Sequence, residues 1–197
     1  QQLIHEGTCT EENFFEPEIP NDKHIVAVHD PEYFYDLLNI MISPKMARKI
    51  GFPLSEDLVE RERIIADGTI KGCEYALEYG ISMNIAGGTH HAYSDLDVHQ
   101  GNGTAEIFKN DDSVFTFSMH GAGNYPFKKE QSDLDIPLPK GTDDAIYLSI
   151  LKDNLPKLIE NLQPDFIFYL CGVDVLESDK LGTLSLTLNG CKKRDEF

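Results

Sequence analysis

The 197-residue chain has no run of about 18 apolar residues and no secretory signal pattern, so it offers no candidate for a helical membrane span and a cytoplasmic location is expected. Basic residues are scarce: 17 Lys and Arg stand against 34 Asp and Glu, a formal charge of −17. That balance argues against nucleic acid, which calls for a clustered basic surface, and against anionic membranes. A basic ligand is compatible with it. Cysteine is sparse as well. Cys9, Cys73, Cys171 and Cys191 lie far apart with no C-x-x-C pair, so reduced, mostly buried thiols are expected. No internal repeat or low-complexity tract is visible. What is present is 41% apolar residues, enough for one substantial core and one domain over residues 1–197.

Along the chain, residues 1–23 read as loop with short turns, and residues 24–29 as a strand or buried segment. Asp30-Pro31 opens a helix, with Asp30 as N-cap and Pro31 at the first helical position. Ser55 caps a long helix reaching Tyr79, with Gly80 as its stop. Within it, Gly68 and Gly72 predict either close packing against a neighbour or a break. Residues 81–85, 114–119 and 166–170 read as strands, and residues 133–140, with Pro137 and Pro139, as irregular. Thr142, Asp143 and Asp144 open a helix toward Leu162 that Pro156 is expected to kink or divide, and residues 191–197 read as a helix start. Helices alternating with apolar runs predict an α/β fold with a parallel sheet. Four runs end in polar groups: His90 and His91, Asp97 and His99, Ser118 and His120, and Asp174. In such sheets ligands bind beyond the carboxyl ends of the strands, so these groups should meet in one crevice.

The chemistry centres on Asp95-Leu96-Asp97-Val98-His99-Gln100-Gly101-Asn102-Gly103. If extended, its Asp-x-Asp-x-His alternation puts three metal-type side chains on one face. Asp97, His99 and the distant Asp174 supply two carboxylates and one imidazole, a donor set suited to a divalent metal with a coordination position left open. His90 and His91 follow Gly87-Gly88, whose tight backbone geometry can aim both rings at such a metal. Two imidazoles there can serve as general base and general acid.

Gly87-Gly88-Thr89-His90-His91-Ala92, the Asp95 to Gly103 stretch, Ser118-Met119-His120, Pro137-Leu138-Pro139-x-Gly141-Thr142 and Cys171-Gly172-Val173-Asp174 together resemble the successive signatures of the histone deacetylase superfamily. Acetoin-utilisation proteins and acetylpolyamine amidohydrolases belong to it, and a bacterial-type member is the expectation. The resemblance covers residues 24–195 in the family's order. It implies the arginase-like α/β fold, a parallel sheet flanked by helices, and zinc-dependent removal of acetyl or other acyl groups from lysine side chains or small amines. It also implies Asp97, His99 and Asp174 as zinc ligands, His91 as general base, His90 beside the leaving group with Asp95 behind it, and Asn102 as the orienter of His91. Many members carry Asp at that last position, and an amide stabilises imidazolium less. A potassium ion would be held by Asp95, the Asp97 and His99 carbonyls, Ser118 and the Met119 carbonyl. A second cation site is implied near Phe108, Asp111 and Val114. Tyr125 would line the channel for the acyl-lysine stem. His29 is expected as a structural residue at a helix entry, His5 and His24 at the surface, and Cys171 packed beneath the site without a nucleophilic role.

The sequence departs from the family pattern in three places. Only Tyr93-Ser94-Asp95 separates His91-Ala92 from Leu96-Asp97, where the family has roughly 30 residues, and a parallel crossover needs at least about 10–12. A segment near 95/96 is therefore expected to be missing, which leaves Asp95 ambiguous between two motifs. The family's N-terminal start and the C-terminal part with its oxyanion tyrosine are expected to be missing too. The competing readings are a hydrolase of acetylpolyamines or other small amides, a ureohydrolase of the same fold (disfavoured, since the further Asp ligands of a two-manganese site are not found), and a metal-binding scaffold without turnover.

Overall fold

In the computed structural model, residues 2–50, 53–84 and 96–197 are described, and the chain forms two compact units that meet in sequence between Thr89 and His90. The first unit is helical. It runs through α1 (Gln2–His5), α2 (Asp22–Val26), α3 (Pro31–Leu38), α4 (Pro44–Ile50) and the long α5 (Glu56–Tyr79). Local capping explains most of these boundaries. Asn21 accepts from the Lys23 N–H and starts α2 where a strand or buried segment was expected. Asp30 accepts from Tyr33 N–H at 2.9 Å, and Ser55 from Leu58 N–H at 3.1 Å. Gly80 ends α5 in the left-handed region, at φ 87°, which glycine adopts without a Cβ penalty.

α5 does not break at its two glycines. Instead, residues 81–84 fold back along it: Asn84 Nδ2 donates to the Ile65 carbonyl and Thr69 Oγ1, beside Gly68, and Ser82 Oγ donates to the Gly72 carbonyl. Residues 81–84 thus form these side-chain bonds and no strand, and residue 85, the last of the expected strand, lies outside the described residues. Asp67, buried in α5, accepts from Glu18 N–H and pairs with Lys71.

The second unit carries α6 (Asn102–Phe108), β1 (Phe117–Gly121), β2 (Leu134–Leu138), α7 (Asp144–Leu162) and α8 (Leu188–Glu196). β1 and β2 pair in parallel, Phe117 opposite Leu134 through Gly121 opposite Leu138. β1 begins later than expected because a turn at Asp111 and the bonds from Thr116 to Asp133 occupy the residues before it. β2 corrects the expectation of irregular chain: it bonds β1 along one side, so Pro137 needs no N–H on the other. Residues 166–169 form no strand among the described residues; Leu170 is an isolated bridge residue whose carbonyl accepts from Leu96 N–H at 3.0 Å, and Tyr169 Oη donates to Asp195.

Asp143 caps α7 by accepting from Ile146 N–H, and Pro156 does not divide the helix. Pro156 and Lys152, whose carbonyl loses its partner, both lie on the exposed face, where water can replace the missing bond. The core gathers Leu96, Val98, Met119, Leu138, Tyr147, Leu151, Val175, Leu184, Leu186 and Cys191 around β1. The four cysteines are free: Cys191 is buried, Cys9 and Cys73 are half-buried, and Cys171 is exposed rather than packed beneath the site. No described helix is long and apolar enough to cross a membrane.

Candidate metal centre

Leu96, Val98 and Val175 are core residues, and their burial anchors the two segments that carry the polar groups. Asp97, His99 and Asp174 lie between or beside these anchors, half-buried, with one donor atom from each inside 4.8 Å of the others. The segment bends at residues 97–99 instead of running extended. Asp97 Oδ1 accepts from His99 N–H at 2.8 Å, which folds the chain back so that His99 Nδ1 also reaches Asp97 Oδ1, at 3.0 Å. From the other segment Asp174 Oδ2 lies 3.0 Å from the same Nδ1, while Asp174 Oδ1 accepts from Val98 N–H at 3.3 Å.

One imidazole nitrogen thus sits between two carboxylates. Hydrogen bonds from Asp174 first, then Asp97, raise the His99 pKa to about 9 against the opposing effect of burial. At neutral pH the ring then carries a proton, whose single positive charge offsets one of the two carboxylate charges. The donor set fits a divalent metal, because two carboxylates and an imidazole, once neutral, converge on one point and each is only half-buried. The space is kept by Gly172: a Cβ there would fall 2.0 Å from Asp97 Oδ2 and 2.5 Å from Asp174 Oδ1.

Behind the ligand loop lies a buried polar network. Gln100, fully buried, donates through Nε2 to the Glu130 carbonyl at 2.8 Å and to Asp135 Oδ1 at 2.9 Å, and its Oε1 accepts from Glu130 N–H at 2.9 Å. Asp135 Oδ1 is 4.0 Å from His120 Nδ1, which pairs at 2.9 Å with Ser118 Oγ. Burial lowers the His120 pKa, with Asp135 opposing the shift and Lys129 adding to it, so the ring is neutral near pH 7. Ser118 and Met119 are buried on β1. Asn102 starts α6, and its N–H donates to the Gln100 carbonyl. Tyr125 is 55% exposed, and its carbonyl accepts from Gln100 N–H, which ties its loop to the residue after His99. His90, His91 and Asp95 lie outside the described residues, as does the 94–96 junction. Asp111 accepts from Ser113 N–H and Oγ–H, a local turn.

The sequence patterns pass over two features that shape the site. Gln100 and Asp135 read as ordinary polar residues beside a turn and a proline-rich stretch. Arg194, in the charged last segment, is buried on α8, and its Nη1 donates to the Leu96 carbonyl at 2.8 Å and the Gly172 carbonyl at 2.9 Å. The contacts that tie Gln100 to Asp135 and Arg194 to Leu96 and Gly172 join residues 22 to 98 positions apart, so no local sequence pattern signals them.

Residues 92–197, more than half of the chain, match the histone deacetylase domain. An uncharacterized protein of Picosynechococcus sp. is 38% identical over 226 positions, covering 99% of this chain and 75% of that protein. Human histone deacetylase 1 is 25% identical over 248 positions, covering 99% of this chain and 51% of that protein, so the chain spans about half the length of that relative. The crystal structure of a histone deacetylase homolog complexed with SAHA shares the fold, with a TM-score of 0.83 at 23% identity, over 98% of this chain and 66% of that one. The match over the segment that carries Asp97, His99 and Asp174, together with the 38% identical relative, shows that the chain belongs to the histone deacetylase family.

Proposed function

We propose that this protein is a zinc-dependent amidohydrolase that removes acetyl, or more broadly acyl, groups from lysine side chains or related amines. The observation that carries the reading is the convergence of Asp97, His99 and Asp174 within 4.8 Å, inside the region matched to the deacetylase domain. Asp97 and Asp174 would hold zinc through carboxylate oxygens and His99 through Nδ1. When bound, zinc supplies Lewis-acid polarisation of the amide carbonyl and activation of water. The chain's own residues supply the proton traffic. His91 takes the proton of the attacking water, with the Asn102 amide orienting its ring, and His90, backed by Asp95, stands by the departing amine. Tyr125 borders the channel that receives the acyl-amine stem.

A potassium ion belongs to the same reading, held by Asp95, the carbonyls of Asp97 and His99, Ser118 Oγ and the Met119 carbonyl. Its positive charge beside the ligands would offset the two carboxylates. A cytoplasmic setting and a single deacetylase-like domain complete the proposal. No nucleic acid enters it, because the charge of −17 leaves no basic excess.

The test pairs metal analysis with hydrolysis of an acetyl-lysine peptide and of an acetylated polyamine. About one zinc per chain with peptide hydrolysis, both lost in Asp97→Ala, is the expected outcome. Preference for the polyamine would move the substrate to small amines. Stoichiometric zinc with no hydrolysis of either would leave a metal-binding scaffold, and retained activity in Asp97→Ala would remove the zinc assignment.

A further inference from the structure

Arg194 is a charged side chain in the interior of the second unit: the residue is 3% exposed, and its one carboxylate partner among the described residues, Asp195, takes Nε at 2.8 Å. Burying a guanidinium is costly, and a buried ion pair by itself seldom adds stability over apolar packing. The contacts that set Arg194 apart are the two made by Nη1, to the carbonyls of Leu96 and Gly172. Leu96 directly precedes Asp97. Gly172 stands two residues before Asp174, and it is the position where a Cβ would meet both carboxylates. A single planar nitrogen therefore ties together the two chain segments that deliver the ligands. Asp195 in turn accepts from Tyr169 Oη–H at 2.5 Å, which braces the guanidinium from the far side.

We propose that Arg194 is a positioning residue of the metal centre: it fixes the separation of the Asp97 and Asp174 segments and thereby the geometry offered to the metal. This inference rests on the metal-centre reading above. Lysine cannot reproduce the role, since an ammonium on a flexible stem lacks the planar fork that holds two carbonyls and a carboxylate at once. Partners that orient ligands in this way typically change metal affinity by about 10–100-fold when removed.

The experiment is a Co(II) titration of the intact protein, read by the visible ligand-field spectrum and by chelator competition, with thermal unfolding of the metal-free form alongside. Wild type, Arg194→Lys, Arg194→Met, Asp97→Ala and the core variant Leu151→Ala are compared. The expected result is that both Arg194 variants bind Co(II) about 10–100-fold more weakly, with an altered spectrum. Leu151→Ala, although it lowers the melting temperature, should stay within about twofold of wild type, because its cavity is in the core and not at the ligands. Wild-type affinity and spectrum in a folded Arg194 variant would overturn the proposal. So would an affinity loss in Leu151→Ala in proportion to its lost stability. If Arg194→Met does not fold, Arg194→Lys decides by the same criteria. If wild type and Asp97→Ala bind Co(II) alike, the metal centre falls and the positioning role with it.

Discussion

Raising the pH from 7 to 9 is expected to tighten zinc binding sharply, and the site geometry sets how sharply. In the metal-free fold His99 keeps its proton up to about pH 9, because Nδ1 lies 3.0 Å from both the Asp97 and Asp174 carboxylates. A metal ligand must be deprotonated, so zinc binding at pH 7 has to expel that proton. The deprotonated fraction of His99 rises from about 1% at pH 7 to about half at pH 9, so apparent affinity should rise by about 50-fold and then level off. An imidazole with its ordinary value near 6.5 would give only about a 1.3-fold change over the same range. The carboxylates are only half-buried, so solvent screening trims the gain, to at least about tenfold. Calorimetry in two buffers of different ionisation enthalpy counts the protons: about one released per zinc at pH 7 and about half of one at pH 9. Flat affinity from pH 7 to 9, or no proton released at pH 7, would refute the placement of the metal at His99 Nδ1.

Gly172→Ala should lower zinc affinity by at least about tenfold, since the added Cβ displaces both carboxylates; chelator competition checks this, and an unchanged affinity would show that the gap is not needed. Gln100→Ala should cost about 1–3 kcal/mol in urea unfolding, because it strips hydrogen bonds from the Glu130 backbone and Asp135 in a buried network. The pH dependence of the metal-free protein should show two opposed imidazoles. The His120 pKa is lowered, so its contribution is present above about 6.5 and lost as the pH falls through the folded value. The His99 pKa is raised, so its contribution is full below about 6.5 and lost as the pH climbs through about 9. Thermal melts should therefore peak between these limbs; His120→Gln should flatten the acid limb, and zinc should abolish the alkaline one.

The features legible in the sequence are those whose causes lie within a few residues. Asp30, Ser55 and Asp143 each accept from the N–H three positions on, so a cap and its helix can be read together. The family's motifs were legible too, and the deacetylase-domain match and shared fold bear that membership out. What was not legible depends on distant partners. β2 is a strand because β1 lies beside it, against the local evidence of two prolines. His120 offered no role by itself, yet between Ser118 and Asp135 it becomes a neutral buried link. Residues 166–169 have a strand's composition but form no ladder among the described residues.

The metal centre itself separates residue type from geometry. An extended Asp-x-His would set the two side chains on one face with their backbones about 7 Å apart, a span that a carboxylate and an imidazole can bridge to one ion. The chain instead bends, and the bond from His99 N–H to Asp97 Oδ1 makes the bend part of the ligand set. That bond can form in the isolated segment, so Asp97 and His99 come together locally. Asp174 has no such local route. Its place depends on Val98 N–H from the first segment, on the missing side chain at Gly172, and on Arg194 reaching both backbones from α8. Two ligands are thus a property of residues 97–99, and the third is a property of the fold. Loss of the Arg194 bonds from α8 should accordingly loosen Asp174 before it disturbs the Asp97–His99 pair, which the bond from His99 N–H to Asp97 Oδ1 still joins.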